Sequence, residues 1–354
     1  MRVLMTADAI GGVWGYSMEL ARALAPEGIE LVIATMGDAP SAAQRAEAAE
    51  LRNVTLVDST FRLEWMPQPW PDVDRAGEWL LGLERDFSPH VVHLNGYAHA
   101  ALPFRAPRIV VAHSCVFSWW RAVHGQNPPR DEWQTYFERV REGLASADLL
   151  IAPSWSMLDE LRAIYGMSGA PQRVIHNTRD GRFFAAEKEP FVLAAGRLWD
   201  EGKNIATLAR AARSLPWPVR VAGALGEASL EGVQWLGSLT RDELAGQYAR
   251  ASIYCLPARY EPFGLTVLEA ALSSCALVLG DIASLRELWD GAALFVPPDD
   301  EETLRAALLA LICDPALCRD LGAQARTRAQ AFDPRTFGCR YLAAYQELRR
   351  EVLA

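Results

Sequence analysis

Twelve short apolar runs punctuate the chain, each followed by a segment of helical period, and this alternation leaves few folds open. They lie at residues 3–5, 31–34, 54–57, 91–94, 109–112 and 149–152, then at 191–194, 219–222, 233–236, 253–256, 276–279 and 293–296. Most are continuous rather than alternating, which is the pattern of parallel strands covered on both faces. Strand–helix repetition predicts doubly wound α/β sheets. Twelve strands overfill one open sheet, so two sheets of about six strands are expected. The polar stretch 177–190 is the expected boundary, with one Rossmann-like domain over 1–178 and a second over 179–334. Two such domains imply ligands held in a cleft between them, at the carboxyl ends of strands.

Composition narrows the class. The chain has 354 residues, of which 51% are hydrophobic and 22% charged, and its Gly and Pro usage is ordinary. Disorder and low-complexity readings are thereby excluded. A net charge of −9 argues against a nucleic-acid partner held by phosphate neutralisation. The six cysteines form no CxxC pair and read as small buried hydrophobes in a reduced compartment. Met1–Met5 runs straight into a strand without a signal-peptide core, and no apolar stretch reaches the ~20 residues of a membrane span. The expectation is a cytoplasmic protein without a transmembrane segment, at most peripheral at the inner membrane face.

Three strand-to-helix loops carry residues suited to chemistry. After the first run comes Asp8-Ala9-Ile10-Gly11-Gly12-Val13-Trp14, with a helix expected from about Met18. Gly11 and Gly12 let backbone N–H groups approach a phosphate or sugar oxygen, or else simply make a tight turn. The spacing is not GxGxxG, which disfavours a dinucleotide. The second loop, Gly196-Arg197-Leu198-Trp199-Asp200-Glu201-Gly202-Lys203-Asn204, nearly mimics a P-loop. It has one residue too many between its glycines, and Asn204 stands where Ser or Thr would bind magnesium, so an NTPase is rejected. What remains is Arg197 and Lys203 before a helix, a pair suited to a diphosphate or to a solvated helix start. Lys203 and Lys188 are the only lysines beside 33 arginines, so a compact ammonium in this loop stands out.

The third loop is the most specific: Glu261-Pro262-Phe263-Gly264-Leu265-Thr266-Val267-Leu268-Glu269. Gly264, Leu265 and Thr266 would offer N–H groups to an anion at a helix N-terminus. Glu269 sits among Leu268, Ala270 and Ala271, where a carboxylate is rarely idle and would suit a ribose diol. Glu261 would reach a sugar hydroxyl.

The frame E-P-F-G-L-x-x-L-E-A, from Glu261 to Ala270, resembles the signature of the retaining glycosyltransferases of family 4, which have the GT-B fold. The likeness extends to the Gly11-Gly12-Val13-Trp14 loop, to His113 closing Val110-Val111-Ala112-His113, to Ala147–Ser154, to Gly196-Arg197…Lys203 and to Leu294–Asp299. The resemblance implies two Rossmann-like domains facing across a cleft, the first serving the acceptor and the second the nucleotide sugar. It further implies that Arg197 and Lys203 hold the donor diphosphate, Glu269 the ribose and Glu261 the transferred sugar. Gly11, Gly12, Phe263, Gly264, Leu265 and Thr266 complete the donor site, and His113 lines the reaction centre. The family's N-G-V-D linker appears here as Asn177-Thr178-Arg179-Asp180, and Asn204 replaces a glycine.

Asp72-Val73-Asp74 mimics the DxD metal motif of another glycosyltransferase fold but follows Pro-Trp-Pro and precedes a helical pattern, so helix capping is the reading. No metal and no resident cofactor is expected, the nucleotide sugar being a co-substrate. Residues 87–130 contain no Asp or Glu but five of the six histidines (His90, His93, His99, His113, His124) and four arginines, interleaved with Phe104, Phe117, Trp119 and Trp120. This reads as a neutral-to-basic wall for a sugar, lipid-linked or small-molecule acceptor, with Trp14, Tyr97, Trp119 and Arg121 meeting it, or else as ordinary burial.

The leading expectation is retaining, metal-independent transfer of a hexosyl unit from a nucleotide sugar to an acceptor hydroxyl. A nucleotide-sugar epimerase or hydrolase on the same fold is the alternative, and a non-enzymatic binding subunit a third reading. Finally, Phe337, Tyr341, Ala344, Tyr345 and Leu348 recur at three- and four-residue steps, an apolar stripe on a closing helix (335–354) expected to pack back on the first domain.

Overall fold

A computed structural model describes every residue except 167–168, 181–182, 184–185, 227–230 and 354, with the backbone alone at 351–353. The chain divides into two compact units. Unit 1 comprises Met1–Arg121, Gln126–Asn177 and Pro334–Ala354, and unit 2 comprises Ala122–Gly125 and Thr178–Asp333.

The sheet of unit 1 has seven parallel strands: β1 (Arg2–Asp8), β2 (Glu30–Met36), β3 (Val54–Asp58), β4 (Val91–Leu94), β5 (Arg108–Val111), β6 (Leu149–Ala152) and β7 (Gln172–Val174). Their order is β3-β2-β1-β4-β5-β6-β7. Helices α1 (Gly12–Leu24), α2 (Ala42–Ala49), α3 (Trp70–Phe87), α4 (Val116–His124), α5 (Arg130–Ser146) and α6 (Trp155–Tyr165) connect them. Burial explains the continuous apolar runs. Val3 and Met5 of β1 enter one core while Leu4 enters the other, and β5 divides Ile109 and Val111 from Val110 in the same way.

Unit 2 repeats the plan with β8 (Glu189–Ala195), β9 (Val219–Ala222), β10 (Gln234–Trp235), β11 (Ala251–Leu256), β12 (Ala276–Gly280) and β13 (Leu294–Val296), ordered β10-β9-β8-β11-β12-β13. Its helices are α7 (Ile205–Ala212), α8 (Arg241–Arg250), α9 (Leu265–Leu272), α10 (Ala283–Trp289), α11 (Glu301–Cys313) and α12 (Pro315–Ala329). The closing helix, α13 (Pro334–Leu353), belongs to unit 1. Phe337, Tyr341, Ala344, Tyr345 and Leu348 are all buried there in one core with Tyr16, Met18 and Leu20 of α1.

In each sheet the strand order reverses beside the first strand, between β1 and β4 and between β8 and β11. Helices therefore leave in opposite directions at these two points, and the loops at the carboxyl ends of those strands border a crevice. The topology thus singles out the loops after β1, β4, β8 and β11.

Three expectations need correction. Unit 1 has seven strands, not six: β7 is three residues long and only partly buried, so Gln172 and Arg173 carry no apolar signal. Helix α1 begins at Gly12 rather than Met18, directly after Gly11 at φ 93°. Asp72 is not a cap, because α3 already begins at Trp70 and places Asp72 within its first turn, bonded to Arg75 and to the Arg62 amide. Asp74 pairs with Arg139 at 2.9 Å.

Candidate active site

The loop after β8 is shaped by contacts to three neighbouring segments. Gly223, at the end of β9, lies so close to Gly196 that an added Cβ would sit 1.8 Å from the Gly196 carbonyl oxygen. Only glycine allows that approach. Leu198 is buried and anchors the loop, leaving Arg197 and Trp199 partly exposed, with the Arg197 guanidinium 5.4 Å from the Trp199 ring centroid. Asp200 accepts from the Gly202 amide at 2.9 Å and from Arg197 Nη2 at 3.0 Å. The amides of Arg259 and Tyr260 donate to the Gly202 carbonyl at 2.9 and 3.1 Å, tying this loop to the one after β11. Asn204 takes a left-handed conformation at φ 56°; its Nδ2 donates to Pro257 and Pro298 carbonyls at 3.0 and 2.6 Å, and its Oδ1 accepts from Thr207 at 2.8 Å. Asn204 thus fastens three loops.

Lys203 and Glu261 meet at the β8–β11 switch point, with Nζ 2.5 Å from Oε2. The other carboxylate oxygen of Glu261 accepts from the Gly264 amide at 2.9 Å, and Ser284 donates to the Glu261 carbonyl at 2.6 Å. Gly264 adopts φ 85°, the left-handed turn that aims α9 at this corner. Its amide is consequently taken by Glu261 and is not open to an anion, contrary to expectation. Leu265 and Thr266 follow in the first turn of α9, where backbone amides lack intrahelical acceptors. Tyr254 donates to Thr266 Oγ1 at 2.8 Å. Phe263 does not present its ring to a ligand. It is buried against Phe332 at 5.5 Å between centroids, because an apolar ring there gains more from the core than from solvent.

Glu269, on the inner face of α9, forms an ion pair with Arg179 at 2.6 Å, each side chain only 9% exposed. Arg179 lies one residue after Thr178, whose hydroxyl donates to the Phe332 carbonyl at 2.5 Å. Arg179 stands in the sequence only as a departure from a linker motif; the legible signal is a cation in place of an aliphatic residue beside the domain boundary.

In unit 1, Gly11 and Gly12 are exposed at the start of α1, beside the switch point between β1 and β4. His113 follows β5, and Asn95 follows β4. His113 Nε2 lies 2.8 Å from Asn95 Oδ1, and the edge of the Tyr16 ring packs on the His113 ring at 4.4 Å. His93, fully buried, reaches Asn95 Oδ1 at 3.2 Å and the Tyr345 hydroxyl at 2.7 Å. Burial pushes both His93 and His113 down to about 3, so both imidazoles are neutral at physiological pH. Asn95 was not anticipated, although an Asn-Gly pair ending a strand at a switch point is a legible signal.

The aromatic wall is largely packing. Trp14 is buried and donates to Glu47 at 2.8 Å; Tyr97 is buried and donates to the Ser114 carbonyl at 2.8 Å, so neither offers a platform. His99 bonds the Val73 carbonyl at 2.9 Å, and His90 accepts from the Arg2 amide at 3.0 Å. Trp119 and Arg121 are half-buried on α4, Arg121 donating to Asn127 at 2.6 Å. Among the described residues no group of three or more His, Cys, Asp and Glu is placed to hold a metal ion, and no helix is long and apolar enough to cross a membrane.

Comparison with known proteins matches these features. Residues 10–180 fit the family model Glycosyltransferase Family 4, and residues 178–328 fit Glycosyl transferases group 1. The chain is 28% identical to a glycogen synthase of Mycobacterium tuberculosis over 404 aligned positions, covering 99% of this chain and 95% of that protein. A D-inositol 3-phosphate glycosyltransferase of Kineococcus radiotolerans is 35% identical over 124 residues, 32% of this chain and 28% of that one. Among solved structures, sucrose-phosphate synthase from Thermosynechococcus elongatus superposes with TM-score 0.82 at 20% identity, covering 98% of this chain and 99% of that one. Anabaena HepE in complex with UDP-glucose gives 0.75 at 15% identity, covering 98% and 100%. With each half matched by its own model and the whole chain aligned to relatives of one fold, the chain belongs to the family 4 glycosyltransferases, of GT-B fold.

Proposed function

We propose that the protein transfers a hexosyl unit from a nucleotide-diphosphate sugar to an acceptor hydroxyl, with retention at the anomeric carbon and without a metal ion or resident cofactor. The observation that carries this reading is the meeting of Lys203 and Glu261 at 2.5 Å where the strand order of unit 2 reverses, with Arg197 on the same loop. There Lys203, Arg197 and the Leu265 and Thr266 amides offer a diphosphate four donors, at the place where α/β sheets bind ligands. Glu269, steadied by Arg179, takes the ribose diol, and Glu261 takes a hydroxyl of the sugar. Gly11 and Gly12, on the first loop of unit 1, are further candidates for the donor. His113 serves the sugar being transferred, and Trp119 and Arg121 are the remaining candidates for the acceptor.

The chemistry needs few groups. The bond from the anomeric carbon to the diphosphate oxygen breaks, and the acceptor oxygen bonds to that carbon on the same face. The acceptor's proton passes to the departing phosphate oxygen. Arg197, Lys203 and the α9 amides stabilise the charge that develops on the leaving group, the term that usually contributes most to such a rate.

Relatives include a glycogen synthase and a mannosyltransferase, so glucose and mannose donors lead the panel to be tested. Incubating the protein with these donors and sugar or lipid-linked acceptors, in the presence of a chelator, and reading the anomeric configuration of the product by NMR tests every part of the proposal. An inverted product refutes retention, and loss of turnover restored by manganese refutes metal independence. Isomerised or hydrolysed donor without acceptor product favours the epimerase or hydrolase.

A further inference from the structure

Asn95 lies outside the donor loops, yet it is the point where the buried His93 and the half-buried His113 converge. Its side-chain Nδ2 is 2.6 Å from the Thr6 carbonyl oxygen, and its backbone amide donates to Thr6 Oγ1 at 2.9 Å. A carbonyl only accepts, so Nδ2 must face Thr6 and Oδ1 must face the histidines. Oδ1 in turn lies 2.8 Å from His113 Nε2 and 3.2 Å from His93 Nε2. An amide oxygen has two lone pairs and no proton, so each of these nitrogens carries the hydrogen between them. On the far side of His93, Nδ1 lies 2.7 Å from the hydroxyl of the fully buried Tyr345, which donates to it in that tautomer.

From this we infer that Asn95 is a positioning residue that holds the hydrogen of His113 on Nε2, so that Nδ1 of the neutral ring is left to meet the transferred sugar as a hydrogen-bond acceptor. The inference rests on the reading of His113 given above. The device runs from Tyr345 on α13 through His93 and Asn95 to His113, all within unit 1. A sugar hydroxyl always has a proton to give, and a neutral acceptor leaves the positive charge of an oxocarbenium-like centre unopposed by a second cation. With the tautomer set before substrate arrives, no proton rearrangement is needed at the moment of reaction.

The test begins with the wild-type protein labelled with nitrogen-15 in histidine, whose ring shifts report the tautomer without any turnover. His113 is expected as the neutral Nε2–H form; an Nδ1–H form, a mixture or an imidazolium at neutral pH overturns the inference. In Asn95→Leu the Oδ1 acceptor is gone, and the His113 spectrum is expected to shift toward a mixture. Turnover should fall roughly a hundredfold in kcat, with donor KM little changed. In an His113→Ala background the same Asn95→Leu change is expected to cost almost nothing further, since Asn95 acts through His113. Equal losses in both backgrounds overturn the positioning role. Should Asn95→Leu fold poorly, the wild-type spectrum alone decides the tautomer. Absence of any sugar transfer by the wild type would instead refute the proposed function, while the spectrum still decides the tautomer.

Discussion

Lys203 Nζ sits 2.5 Å from Glu261 Oε2, so the ammonium assigned to a diphosphate is already paired with the carboxylate assigned to the sugar. The two side chains come from loops 58 residues apart in sequence. On the function proposed above, an anionic donor would compete with Glu261 for Lys203 rather than meet a bare cation.

Lys203→Ala and Arg197→Ala are each expected to lower kcat/KM by about 2–4 kcal/mol of transition-state stabilisation. Lys203→Ala also strips Glu261 of its counter-ion, so it should be the more harmful of the two. Steady-state kinetics with a saturating acceptor provide the check, and activity within threefold of wild type, roughly 0.6 kcal/mol, in both variants would remove these residues from the donor site.

Removing one member of a buried ion pair leaves the other charge uncompensated. Arg179→Leu should therefore destabilise unit 2 by about 3–5 kcal/mol, whereas Arg179→Leu combined with Glu269→Leu should recover most of that loss. Denaturant titrations of the single and double variants measure both quantities. An exposed pair would have given about 0–1 kcal/mol, and such a small value would show that the pair opens freely to water.

His93 and His113 supply a dependence on acidity. Both are held at about 3 by burial, well below the ordinary histidine value, so the unfolded chain takes up these protons first as pH falls. Stability due to the neutral rings is fully present above about pH 6.5 and is lost progressively toward pH 3, at up to about 1.4 kcal/mol per pH unit for each ring. Between about pH 7 and pH 5, His93→Gln should lose stability less steeply than wild type. Parallel denaturation curves for the two would sink the assignment.

Where α13 crosses α1, Gly338 has no room for a side chain: an added Cβ would lie 2.9 Å from the Ala23 carbonyl oxygen. Gly338→Val forces the helices apart and should cost about 1–3 kcal/mol. A melting temperature equal to wild type would mean that the helices can slide past one another at no cost.

The parallel strands were legible because β1, β5 and their neighbours are buried on both faces and so read as unbroken apolar runs. β7 was not, since an edge strand of three half-buried residues leaves no such trace. The three glycine-bearing loops were legible because turns of that kind need particular residues. Their internal wiring was not. The Arg179–Glu269 pair spans 90 residues and Asn95–His113 joins two separate strand ends, so neither partner announces the other. Phe263 shows the opposite case: it stands inside a recognisable motif, yet its ring belongs to the core. Trp14 and Tyr97 are likewise buried: aromatic character alone does not say which side of a helix or loop faces water.

The bond between Tyr345 and His93 joins positions 252 residues apart, with residues 178–333 of unit 2 lying between them in sequence. During synthesis the chain emerges from its amino end, so unit 2 is complete before α13 exists. Until then unit 1 lacks Phe337, Tyr341 and Tyr345, the rings that pack on Tyr16 and His93. The nascent protein thus carries a sticky apolar face for as long as it takes to make 156 intervening residues, and that interval is when a chaperone would find it.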